Sequence, residues 1–198
     1  MDKLTLNNQV TIPLTGLGVY QINNLDECEH TVLNALKMGY RLIDTAACYG
    51  NEKAVGNAIK KSQIPREDIF ISSKGWIQDA GYQKIKQSFA KTLENLQTDY
   101  LDLYLIHMPF GDYHGSWQAM EELYASGKIK AIGVCNFLPD RLVDLILSHN
   151  IIPAINQIEL HLLCQQQELL KLMKKYNIKP MAWAPFIEGK EKILKIIY

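Results

Sequence analysis

With 198 residues, 47% hydrophobic and 21% charged, the chain is long enough to bury a sizeable core and reads as one soluble domain over 1–198. Its 21 basic and 21 acidic residues cancel, which argues against a surface dedicated to nucleic acid or to an anionic membrane. No segment approaches the ~20 apolar residues of a spanning helix, and residues 1–4 carry no signal-peptide core, so a cytoplasmic protein is expected.

Residues 3–12 alternate apolar and polar on both sides of Asn7 and Asn8, a pattern that predicts a small β-hairpin. Beyond Pro13, residues 14–20 are glycine-spaced and partly apolar, and are expected to open the main sheet. From there one unit repeats, an apolar strand followed by an amphipathic helix, with no linker between units. Helices are expected to begin near Leu25, Asn51, Tyr82, Tyr113, Leu138 and Gln165. Strands are expected at 41–44, 69–73, 100–106, 129–134, 154–158 and 179–184. In the helix over 82–96, Ile85, Phe89, Leu93 and Leu96 fall on one face. The strand at 100–106 is mostly apolar, as a parallel strand covered on both faces should be.

Counting the first strand, these are seven strand-helix units, the last cut short. Strict alternation means a parallel α/β architecture, either an open doubly wound sheet or a closed TIM-type (β/α)8 barrel. No GxGxxG follows any strand, and the barrel is favoured. The four cysteines, Cys28, Cys48, Cys135 and Cys164, are scattered without metal-ligand spacing and are expected as reduced thiols, with Cys48, beside Tyr49, either redox-sensitive or, the favoured reading, a small buried filler.

Polar or reactive residues recur where strands give way to loops: Asp44, Lys74, His107, Asn136 with Cys135, Gln157 and Trp183. Their spacing of 21 to 33 residues matches one unit each, so in a barrel they converge on the C-terminal mouth, where barrel enzymes keep their active sites. Asp44 ends a short apolar run and is expected to share its rim with Tyr49, ahead of a turn at Gly50 and Asn51 and a helix whose first turn holds Glu52; taken singly, Asp44 would more often be a satisfied turn or cap residue and Tyr49 a packing ring with its hydroxyl in water. An ammonium at Lys74 needs a partner, and Asp44 is the obvious one. The cation is then expected to lower the Tyr49 pKa from its usual ~10 and make the phenol a proton donor at neutral pH.

His107 would either satisfy a structural hydrogen bond or orient a substrate carbonyl. Four groups focused on one oxygen suit reduction of a carbonyl by hydride from a cofactor. Asn136 and Gln157 offer donors and acceptors for a carboxamide, and Trp183 a flat stacking face. Each equally suits a plain duty, the amides satisfying loop backbone and the indole filling core.

Four stretches carry a resemblance to a known family: 39–52 (GYRLIDTAACYGNE), 99–109 (DYLDLYLIHMP), 127–137 (GKIKAIGVCNF) and 156–161 (NQIELH). In that order they resemble the aldo-keto reductases, over about 14–186. The resemblance implies a (β/α)8 barrel using NADP(H), with Asp44, Tyr49, Lys74 and His107 at the catalytic tetrad positions. Tyrosine would be the general acid, tuned by the lysine and the aspartate, and histidine would orient the carbonyl. Asn136 and Gln157 would hold the nicotinamide carboxamide and Trp183 would stack on the ring, with Val19, Tyr20, Asp44 and Cys135 among the cofactor contacts. Tyr20, Trp76 and His107 would line the substrate pocket.

The implied partner is a small carbonyl compound, with no nucleic acid and no membrane, for a monomer or weak oligomer. Departures from the family pattern are Cys135 for a common Ser, Met108 for Trp, Leu162 for Pro and Ala184 for Ser in 183–186 (WAPF). A barrel of this type usually needs ~250 residues, so the chain is expected to be C-terminally truncated, its eighth strand-helix unit missing. Low cofactor affinity and marginal stability are expected to follow, with little for the tail at 193–198 to pack against. The alternative to an active reductase is an inactive truncated relative or a non-enzymatic NADP(H)-binding module.

Overall fold

In the computed structural model, which describes residues 2–189, strands and helices alternate as the patterning predicts. Two short antiparallel strands come first, β1 (Lys3–Thr5) and β2 (Thr11–Pro13), the expected hairpin. The parallel strands that follow are β3 (Leu17–Gly18), β4 (Leu42–Asp44), β5 (Phe70–Gly75), β6 (Leu103–Ile106), β7 (Ile132–Cys135), β8 (Ile155–Glu159) and β9 (Lys179–Trp183). Each pairs with the next in sequence, so among the described residues β3 and β9 are the two edges of a seven-stranded sheet. Helices α1 (Leu25–Lys37), α2 (Glu52–Ser62), α3 (Tyr82–Leu96), α4 (Tyr113–Ala125), α5 (Pro139–Ser148) and α6 (Gln167–Lys175) fill the crossovers. This is the TIM-type barrel architecture. The expected seventh helix and the tail at 193–198 lie outside the described residues. Among the described residues, no helix is long and apolar enough to cross a membrane.

Local chemistry explains the boundaries. The Asn24 side chain accepts the N–H groups of Asp26 and Glu27 and starts α1, while Pro139 opens α5. The first strand is shorter than the expected 14–20. Leu14 N–H donates to Asp2 O at 3.0 Å and so belongs to the hairpin, and Gln21 turns the chain away with φ of 66°. Of the strand expected from residue 100, Leu101 makes an isolated parallel bridge to Ile129 and the continuous strand begins at Leu103; between them the buried Asp102 carboxylate, paired with Arg66 and Lys130, accepts the Ile71 N–H at 3.0 Å.

Alternation along the strands divides the core in two. Ile43, Ile71, Tyr104, Ile106, Ile132, Val134 and Ile158 face the helices in the larger cluster. Leu42, Phe70, Leu103, Leu105, Cys135 and Ile155 form the inner cluster, joined from below by Leu6 and Ile12 of the hairpin. The hairpin thus plugs the N-terminal end of the barrel, where Asn7 Nδ2 donates to Pro153 O and Asn8 Nδ2 to Lys130 O. Counting by twos from these inner residues reaches Asp44, Lys74, His107 and Gln157 at the opposite end, and from Met181 of β9, which packs against the same cluster, it reaches Trp183.

Candidate active site

Asp44 closes β4 and Lys74 is the penultimate residue of its neighbour β5. Lys74 is fully buried and its Nζ donates to Asp44 Oδ2 at 2.7 Å and to the Thr45 carbonyl at 2.8 Å. Burial is the largest single influence and works against the ammonium, but the Asp44 carboxylate together with Tyr49 and Cys135 outweighs it and the Lys74 pKa is raised. The pairing expected from the sequence is therefore present.

Tyr49 ends a 3-10 turn (Ala47–Tyr49) that Gly50 closes with φ of 70°. The turn is fixed from behind: Thr45 Oγ1 donates to Asn51 Oδ1 at 2.9 Å, and Asn51 Nδ2 donates to Val19 O at 2.9 Å. The Lys74 ammonium lies 5.1 Å from the Tyr49 ring centroid. Its effect on the phenol nonetheless differs from the expectation. Burial is the larger influence and pushes the Tyr49 pKa up to about 12, against the opposing pull of the Lys74 cation. Tyr49 is therefore a held proton, and the cation limits the cost of giving it up.

His107 follows β6, its N–H donating to Gly75 O at 3.1 Å. Its ring meets the Trp76 ring edge-on at 4.8 Å and the Tyr49 ring at 5.7 Å. Burial, with the Lys74 charge adding to it, pulls its pKa down to about 3, so the imidazole is neutral. Tyr20 covers Tyr49 at 5.0 Å between centroids and is itself exposed. The four proton-active groups and the aromatic positions 20 and 76 thus share one rim.

On the far side, the amides interlock. Asn136, held at φ of 63°, has its Nδ2 within 3.2 Å of His107 O, Met108 Sδ and Cys135 Sγ, acceptors that its two N–H groups share, and its Oδ1 accepts from Trp183 Nε1 at 2.9 Å. The Cys135 thiol donates to Gln157 Oε1 at 3.6 Å, and burial pushes its pKa up to about 12, so it keeps its proton. Gln157 Nε2 reaches Met181 Sδ at 3.3 Å. Met108 thus offers Asn136 a thioether acceptor. A cleft of about 390 Å³ adjoins this side and shares Asn136, Met108 and Trp183 with it.

Two features escaped the sequence reading. Cys48, expected as buried filler, is exposed, and its Sγ lies 3.5 Å from His107 Nδ1. The short turn points residue 48 toward the mouth rather than into the core, and a three-residue turn leaves no periodicity to read. The second is Asp44 Oδ1, a buried acceptor with no partner among the described residues. Only the geometry of Lys74, which engages the other oxygen, exposes it.

Comparison with known proteins places these features in a family context. The family model described as the aldo/keto reductase family matches residues 15–192. The chain is 47% identical to glyoxal reductase of Bacillus subtilis over 189 residues, covering 95% of this chain and 68% of that protein. It superposes on the crystal structure of an aldo/keto reductase from Brucella melitensis with TM-score 0.93 and 44% identity, covering 99% of this chain and 77% of that one. An aldo-keto reductase from Bombyx mori, solved in complex with NADP, matches with TM-score 0.89 and 32% identity over 93% of this chain and 66% of that one.

Proposed function

The chain belongs to the aldo/keto reductase family, and from that premise we propose that it reduces the carbonyl of small aldehydes or ketones to the alcohol, using NADPH, with Tyr49 as general acid. The observation that carries this reading is the buried Lys74–Asp44 pair set against a protonated Tyr49 and a neutral His107 on one rim.

The residues present fit the cofactor. Asp44 Oδ1 is a buried acceptor awaiting a donor such as a ribose hydroxyl. Asn136 and Gln157, on adjoining strand ends, would engage the carboxamide, and the Trp183 indole would cover the ring. When bound, the reduced nicotinamide supplies the hydride that the carbonyl carbon accepts.

The chain's own work is on the oxygen. His107, neutral, donates a hydrogen bond that orients the carbonyl. As negative charge builds on the oxygen it becomes a far stronger base than a phenolate, so the Tyr49 proton transfers despite its high pKa. Lys74 then faces the tyrosinate, and Asp44 keeps Lys74 charged and in place. Tyr20 and Trp76 form apolar walls that favour a small or planar substrate.

Steady-state NADPH oxidation with small aldehydes tests this. Tyr49→Phe is expected to lower kcat by at least about 100-fold while cofactor binding, read by NADPH fluorescence, persists. Normal turnover by Tyr49→Phe would remove the proposal. Cofactor binding without carbonyl-dependent oxidation in the wild type would favour the non-enzymatic alternative.

A further inference from the structure

A neutral imidazole carries one proton on two nitrogens, and only the Nε2–H form can present a donor to a substrate while Nδ1 is occupied. In this chain Nδ1 is occupied by Cys48 Sγ at 3.5 Å. The Trp76 and Tyr49 rings, at interplanar angles of 73° and 75°, fix the ring plane but cannot choose the tautomer, since aromatic edges neither donate nor accept strongly. That choice falls to the sulfur.

Two arrangements are open to the pair. With S–H donating, a weak donor meets a good acceptor and Nε2 keeps its proton. With Nδ1–H donating, a good donor is spent on sulfur, a weak acceptor, and Nε2 is left bare. The first makes better use of both groups. It also leaves His107 with the donor that a carbonyl oxygen, itself an acceptor, requires.

The geometry points to Cys48 as a positioning residue that, by donating its thiol proton to His107 Nδ1, holds the imidazole in the Nε2–H tautomer facing the substrate. This rests on the reductase reading for its consequence but not for its geometry. An ordinary thiol already keeps its proton at neutral pH, and the partial shielding of Cys48 beside His107 shifts its pKa further upward. Because Cys48 is exposed at the mouth, the hold on His107 is also open to small thiol reagents.

The test pairs Cys48→Ala and Cys48→Ser with 15N NMR of the histidine side chains, the His107 signals being assigned by their loss in His107→Gln. The wild type is expected to show His107 as the Nε2–H tautomer at pH 7. Cys48→Ala is expected to shift it measurably toward Nδ1–H and to lower kcat/KM by about 3- to 10-fold, the scale of one neutral hydrogen bond. Cys48→Ser, which restores a donor, is expected to recover both readouts. A wild type already in the Nδ1–H form, or a tautomer unchanged in Cys48→Ala, would overturn the assignment. Tautomer control without any carbonyl reduction would instead sink the reductase reading and leave the hold of Cys48 on His107 standing.

Discussion

Tyr49 keeps its proton because removing the phenol from water penalises tyrosinate more than the Lys74 cation rewards it. His107 is pulled the other way by the same burial, down to about 3. Neither group therefore changes protonation between about pH 5 and 9, and kcat/KM for reduction is expected to be flat across that range. A bell centred near neutrality would assign the proton to another group.

His107 also links pH to stability. The unfolded ring takes up a proton at about 6.5 and the folded one only at about 3, so the stability from burying it neutral is whole above pH 6.5 and is lost as pH falls. The loss is at most about 1.4 kcal/mol per unit. Urea unfolding between pH 7 and 5 should show a shallower slope in His107→Gln than in the wild type. Asp44, Lys74 and His107 were legible because each ends an apolar run one unit from the last. The Tyr49 pKa was not, because the sequence names the nearby cation but does not measure how much water the fold removes.

At the scale of elements, α2 is bound to its neighbours by one acidic side chain. Glu52 is 3% exposed and accepts from Ser73 Oγ at 2.7 Å, Thr92 Oγ1 at 2.9 Å and Asn95 Nδ2 at 3.0 Å, joining α2 to β5 and α3. Glu52→Ala would strand three donors and is expected to cost about 3 kcal/mol or more by urea unfolding. Glu52→Gln, which keeps one acceptor oxygen, should cost less. The two helices also approach closely, since a Cβ on Gly56 would sit 2.8 Å from the backbone of residues 95 and 96. Helix starts were readable to within about two residues from capping and turn residues. What a buried Glu bonds to was not, because its donors come from residues 21 to 43 positions away.

For the whole molecule, the sequential sheet and its parity place every candidate group at one end while the hairpin seals the other. The barrel class was legible from alternation and spacing. Which residues point inward was also implicit in the two-residue period of each strand. The plugging role of the hairpin was not, since residues 3–12 reveal strands but not what lies above them. β9 pairs only with β8 among the described residues, and its amides are expected to exchange with deuterium faster than those of the central β5. Equal protection of the two strands would show that the β9 side is as firmly held as the centre.

The sequential pairing also divides labour in time and along the chain. The proton-handling residues, Asp44, Tyr49, Lys74 and His107, all lie on β4 to β6 and their loops, and their contacts need only the first four parallel strands, β3 holding the Tyr49 turn through Val19. The amides and the indole proposed for the cofactor arrive later, on β7, β8 and β9. A chain emerging from synthesis would therefore assemble its acid before its cofactor seat, and an opening that starts at β9 would loosen the hold on the nicotinamide while leaving the Lys74–Asp44 pair intact.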